Sequence, residues 1–400
     1  MKRITSKQFL FYSTSVLAAS LPIFPTWIPL FIAILFLVYL FTKDWKLRIQ
    51  ELLASKSALI LLLFFLFNVL GILWSENLEK ALMHLEIKLS LLFFPFLIFA
   101  RPDLNIVSVK RILNFYCLST TIVATCMLLS SFGNVILNDG ILLTYGAFSP
   151  IFHPSYLSMY FILAIVLLVD GLKDLPRKYY YVYGLAILFL SSAVFFLASK
   201  VNIILLFGLG LFYLLRFLKN RLSRLKQLIV ALFFGIAFFI AIFLNQAIFE
   251  RFLRGFDTVK NIHQIDVNDT ESNAARILIW NSALDLISEH PWGVGTGDVN
   301  IELTKKYHEN GFTGIEYRQL NAHNQFLQTA AAIGILGMIS LLFVFLVPMF
   351  NSAIQGNFPM LGFLMLTFVN ACVEGILEAQ AGVVFFAFFY ALLLRNVKSS

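Results

Sequence analysis

The sequence predicts an all-α, polytopic integral membrane protein with about twelve transmembrane helices and one long loop that contains helices of its own. Three observations carry that expectation. Of the 400 residues, 60% are hydrophobic and 13% charged, with a mean hydropathy of +0.84, values that soluble domains of this size do not reach. The apolar residues gather in runs near the roughly 20 residues that cross a hydrocarbon core as a helix, and lipid offers backbone groups no partner except those within a helix. Lys and Arg cluster in alternate connections, as oriented spans require.

The runs lie near 8–24, 26–42, 57–74, 81–99, 112–131, 152–169, 179–198, 201–217, 227–246, 323–347, 358–375 and 379–394. The first follows a basic start ending at Lys7, has no small-residue cleavage site behind it, and leads through Pro22 and Pro25 into the second. It therefore reads as a retained span and not as a signal peptide. The connections at 21–25 and 132–151 carry no Lys or Arg. The opposite face holds Lys43, Lys46, Arg48 and Lys56, then Arg101, Lys110 and Arg111, then Lys173, Arg177 and Lys178, then Arg216, Lys219, Arg224 and Lys226. Both termini are thus expected in the cytoplasm. The net charge of +8 is accounted for by loops facing anionic lipid, so membrane lipid is an expected partner and nucleic acid is not.

Three regions follow: residues 1–246 with nine spans, a loop over 247–322 on the outer face, and residues 323–400 with three more spans. Loops this long usually carry function. Within it, "ESNAARILIWNSALDLISEHPWGVGTGD" reads as an amphipathic helix with Ile277, Trp280, Leu284 and Ile287 on one face. Asp269 or Thr270 would cap its start; Pro291 and three glycines end it. A helical lid lying on the outer membrane surface is expected. "HPWGVGTG" lacks the lysine of a phosphate-binding loop and a preceding strand, and reads as a turn.

The three cysteines, Cys117, Cys126 and Cys372, show no CxxC pair and the six histidines are scattered, so free thiols and neither metal nor cofactor are expected. His323 heads the tenth span. Its position alone leaves two readings open: a helix cap with Asn321, or a titratable imidazole at a water–lipid boundary. Gly334 and Gly337 behind it read as a small-residue packing face. Arg276 lies one turn before Trp280, where an arginine is ordinarily solvated surface but is also suited to gripping phosphate. Lys200 is the only charge in the short turn "FFLASKVNIILL"; a snorkelling lysine is the plainer reading. His153, Ser155 and Tyr156 open the sixth span, Lys88 lies in the fourth, and Glu378 and Gln380 mark the last outer turn. For Glu378 a structural ion pair weighs as much as a substrate role.

Arg276 followed by Trp280, then "EHPWGVGTG", then a loop ending in "AHNQFLQTAAAIGILG", resembles the O-antigen ligase family, which includes lipopolysaccharide O-antigen ligases, O-antigen polymerases and protein O-oligosaccharyltransferases. The resemblance covers about 270–340 specifically and is weaker at "HPSYLSMY", "LASK" and "LEAQAGVVFFAFF". It implies a glycosyltransferase of the bacterial inner membrane with its site on the periplasmic side. His323 would take the catalytic place and Arg276 a diphosphate-binding one. Lys200 would replace the arginine of a Ser-Arg pair, without its bidentate fork. Asn324, Gln325, His153, Tyr156, Glu378 and Lys88 would bind substrate. The donor implied is a glycan on undecaprenyl diphosphate; the acceptor is a lipid A–core sugar hydroxyl or another glycan. The same resemblance admits a polymerase that lengthens the lipid-linked chain. A rival from another class is a lipid-linked glycan transporter or flippase, which the absence of a strong internal repeat disfavours.

Overall fold

The computed structural model describes residues 6–40, 45–99, 101, 104–137, 143–219, 222–261, 265–266, 272–316 and 320–395. The described residues are helical with no strand. The expected cap at Asp269 or Thr270 falls outside them. Two compact units form: Met1–Phe11 with Ile34–Val109 and Thr258–Ser400, and Tyr12–Ala33 with Lys110–Asp257.

Among the described residues, seven helices are long and apolar enough to cross a bilayer: Leu78–Ile98, Ile106–Leu137, Pro154–Asp174, Arg177–Phe196, Lys200–Leu218, Arg224–Leu244 and Gln325–Gln355. An eighth arises if Lys46–Leu53 and Lys56–Leu70, bent by 90° at Ser55, count together. Ser55 caps the second of these by accepting from the Ala58 N–H at 3.3 Å. The expected spans at 8–24, 26–42, 358–375 and 379–394 are helices of only 15, 13, 14 and 16 residues, about 20–24 Å long against a core of about 30 Å. The chain is a multi-pass membrane protein, with some apolar runs spending their ends on turns.

In the first unit, Gln325–Gln355 packs against Lys56–Leu70, Phe358–Ala371 and Ser272–Glu289. The last helix, Gln380–Arg395, is buried among Ser90–Phe94 and the wide turn Pro95–Phe99. Phe345, Phe363, Phe385, Phe386 and Phe389 interlock there in tilted, stacked and edge-on pairs, geometries that aromatic quadrupoles allow. The Tyr390 hydroxyl in this core donates to the Ser57 carbonyl at 3.1 Å.

The long helix is broken at Ile333 (φ −127°, ψ 19°) and Gly334 (φ 77°, ψ 177°). The backbone groups freed there are taken by the Pro291–Gly295 turn. Val294 N donates to Ala331 O, Gly295 N donates to Ala332 O, both at 2.9 Å, and Ile335 N donates to Pro291 O at 3.0 Å. A Cβ on Gly334 would lie 2.7 Å from the Trp292 carbonyl carbon. Gly334 therefore serves a left-handed backbone and a close approach, where a helix-packing face was expected. The two glycine motifs of the sequence are the two halves of one interlock.

Ser272–Glu289 is a helix as expected, but its buried face is Leu278, Ile279, Ala283 and Leu286, while Leu284 is exposed. The apolar stripe read from the sequence was rotated from the one that packs, because small Ala275, Ser282 and Ala283 make the close contacts. This helix packs on Val299–Glu309 and on Gln325–Gln355.

In the second unit Pro154–Gly171 is the most enclosed helix, packing on Tyr180–Phe196 and Lys200–Leu218. Tyr116 anchors it by donating to the Tyr160 carbonyl at 2.7 Å. Arg224–Leu244 is almost entirely exposed, as a helix surrounded by lipid can be.

Candidate active site

The residues ahead of Gln325–Gln355 form an elbow whose backbone is pinned at each step. Asn324 is the helix cap: its Oδ1 accepts from Phe326 N at 2.9 Å and Leu327 N at 3.2 Å. His323 precedes it in the left-handed region, at φ 43°, a conformation costing a non-glycine residue roughly 1–2 kcal/mol. Three bonds offset that cost. Asn321 Oδ1 accepts from His323 N at 3.0 Å, Gln328 Oε1 accepts from Ala322 N at 2.9 Å, and Trp280 Nε1 donates to the Ala322 carbonyl at 3.0 Å. Asn324 thus does the capping, and the imidazole of His323 is left for another partner.

That partner is Glu374, in the turn between Phe358–Ala371 and Gln380–Arg395. His323 Nδ1 stands 3.1 Å from Glu374 Oε2. Arg276 Nη2 donates to the other oxygen, Oε1, at 2.8 Å, and Arg276 Nε donates to the Val373 carbonyl at 3.3 Å. An ionised carboxylate only accepts, so when it pairs with an uncharged imidazole Nδ1 carries the hydrogen and Nε2 keeps its lone pair. The side chains of His323, Arg276 and Glu374 are 28%, 22% and 13% exposed. They are partly enclosed yet open to a ligand.

Four residues on, Glu378 accepts from Lys88 Nζ with both oxygens, at 3.1 and 3.2 Å, and lies 3.6 Å from His84 Nδ1. Gln325 holds the far end of this turn at two adjacent residues: its Nε2 donates to Glu378 Oε1 at 2.9 Å and its Oε1 accepts from Leu377 N at 2.7 Å. Burial pushes the Glu378 carboxyl up. The Lys88 charge, then His84, and the hydrogen bonds from Gln325 and Lys88 outweigh burial and hold it below the usual carboxylate range. Lys88 and Glu378 are each only 6% exposed.

The second unit holds the other residues singled out by sequence. His153 caps Pro154–Gly171 weakly, Nδ1 accepting from Ser155 N at 3.4 Å, and its ring lies edge-on to Tyr145 and Tyr156. Lys200 opens Lys200–Leu218. Buried Asn202 ties these two helix starts together by donating to Ser155 O and Ser199 Oγ, both at 3.1 Å. The structure thus joins His323, Arg276, Gln325, Glu378 and Lys88 through one turn in the first unit, and sets His153, Tyr156 and Lys200 in the second. Sequence reasoning missed Glu374, which bridges the histidine and the arginine. A signal existed in "VEGILEA", two acids one helical turn apart, but nothing local distinguishes them.

The family model described as O-antigen ligase matches residues 185–342. This bears out the resemblance, and the matched stretch includes Lys200, Arg276, His323 and Gly334 and stops short of Glu374. No curated protein matches the chain. The family match supports a membrane glycosyltransferase-like enzyme of O-antigen ligase or polymerase type, working on lipid-linked glycans in a membrane.

Proposed function

From that family kinship, we propose that the chain joins a glycan carried on undecaprenyl diphosphate to a hydroxyl of a lipid A–core sugar, at the periplasmic face of the bacterial inner membrane. The observation that carries the reading is the Arg276–Glu374–His323 chain of contacts at the foot of the matched stretch. Glu374 orients the imidazole so that Nε2 faces outward as a general base. His323 Nε2 takes the acceptor hydroxyl proton as that oxygen attacks the anomeric carbon. The bond from the anomeric carbon to the diphosphate oxygen breaks on the opposite side, and the electron pair leaves with the lipid diphosphate. Displacement of this kind inverts the anomeric centre. Arg276 places positive charge where the departing diphosphate gains negative charge. The diphosphate linkage is already activated, so the step requires no separate energy source or metal.

The substrate-binding places of Lys200, His153 and Tyr156 come from the resemblance alone, as do those of Asn324, Gln325, Lys88 and Glu378. For the last four, helix capping, turn anchoring and ion pairing already account for the side chains. The distribution of Lys and Arg supports cytoplasmic termini and a periplasmic 247–322 loop.

The test is glycan transfer by purified protein from a polyprenyl-diphosphate glycan to lipid A–core, with EDTA present, beside His323→Ala. Transfer by the wild type that disappears in the variant is the expected result. Lengthening of the lipid-linked glycan without transfer to lipid A–core would assign the polymerase reaction instead. Equal transfer by both proteins would remove His323 from the chemistry.

A further inference from the structure

The helix Gln246–Lys260 follows the exposed span Arg224–Leu244 after a single non-helical residue, Asn245 (φ −103°, ψ 95°), whose Oδ1 accepts from Ile248 N at 3.1 Å. At 100° per residue its side chains divide into three sectors. One is turned to protein: Ile248 is 1% exposed, Gly255 is half-buried, and the Arg251 guanidinium lies 4.2 Å over the Tyr145 ring. A second is polar and exposed, formed by Glu250, Arg254 and Asp257. The third is apolar and turned outward: Leu253 is 45% and Phe256 71% exposed, with Phe249 and Phe252 beside them.

A helix of a water-soluble protein turns its apolar stripe inward; this one packs an arginine on the protein and leaves its largest apolar side chains outside. The span just before it does the same, with Phe239 at 69%, Phe243 at 69% and Leu244 at 78% exposed, which in a membrane span is contact with lipid. The apolar sector thus continues a lipid-facing surface across the Asn245 bend. We propose that Gln246–Lys260 lies in the plane of the membrane, with Leu253 and Phe256 seated at the boundary of head groups and acyl chains, and Glu250 and Asp257 toward water. Lys260, between Phe249 and Leu253 at the end of the helix, reaches its ammonium up to the head groups. The occupant is bilayer lipid, and the consequence is that the long loop begins anchored to the surface on which a lipid-linked substrate would arrive.

The test uses the full chain with Cys117, Cys126 and Cys372 changed to Ala, reconstituted in phosphatidylethanolamine–phosphatidylglycerol nanodiscs. Nitroxide labels are placed singly through Leu253→Cys, Phe256→Cys, Glu250→Cys and Asp257→Cys. Relaxation by oxygen, which concentrates in lipid, is compared with relaxation by a water-soluble nickel chelate. The logarithm of the oxygen-to-nickel ratio is expected positive at 253 and 256 and negative at 250 and 257. Nickel access at all four sites would put the helix in water, oxygen access at all four would put it across the bilayer, and shielding from both reagents at 253 and 256 would mean a second protein surface covers the stripe. Each of these three results overturns the proposal.

Discussion

Glu374 and Glu378 sit four residues apart in the same turn, and each bridges a histidine to a basic side chain. Glu374 links His323 to Arg276; Glu378 links His84 to Lys88. Their surroundings differ. The first trio is 13–28% exposed, the second 6–10%. The same pairing chemistry therefore stands at the rim in one case, as a candidate site, and in an enclosed ion pair in the other. A charge that a substrate cannot reach can only hold structure, whereas one at the rim of the fold can exchange its partner for a ligand. Burial also makes the inner pair costly to break, because its lost partner cannot be replaced by water.

The sharpest way to break this contrast is to truncate each histidine. His323→Ala is expected to lower glycan transfer by about 10²–10⁴-fold, the range of general acid–base catalysis, with unchanged thermal stability. His84→Ala should retain transfer near the wild-type rate. Equal losses in a purified transfer assay would erase the distinction. Next in size is Lys88→Met, which leaves Glu378 enclosed without its cation and should destabilise the fold by about 3–5 kcal/mol, read as a lowered unfolding midpoint; Arg276→Met should lose activity first and stability little. Glu374→Gln keeps the shape but not the charge that orients His323. A fall in kcat of about 10²-fold, at the low end of the same range, with KM little moved is expected. A rise in KM alone would make Glu374 a substrate ligand instead. The interlock is probed by Gly334→Ala, whose left-handed backbone alone costs about 1–3 kcal/mol and whose Cβ would also meet the Trp292 backbone at 2.7 Å; a lowered unfolding midpoint is expected.

The helical membrane class and the family motif around Arg276 and His323 were legible because each rests on local sequence: apolar runs of set length and a motif within one stretch. Glu374 was not, since its partners lie 98 and 51 residues away and its neighbour Glu378 presents the same letters. The face of Ser272–Glu289 was misjudged because large residues dominate a periodicity count, while alanines and a serine permitted the close packing. Gly334 looked like half of a small-residue face; that it breaks its helix is visible only with the Pro291–Gly295 backbone beside it. Gln246–Lys260 was not singled out in the sequence, because its outward apolar sector is short and interrupted by charged residues.

The break at Ile333 and Gly334 has a mechanical consequence. It separates the short piece from Gln325 to Ala332 from the rest of its helix, and the carbonyls at the lower end of that piece are held by Val294 and Gly295. The upper end carries His323 on its pinned elbow. The piece is thus a lever fixed at one end to the loop and bearing the imidazole at the other. A displacement of the loop would be carried to His323 through about two turns of rigid helix, so under the proposed reaction a glycan docking against the loop would also move the imidazole.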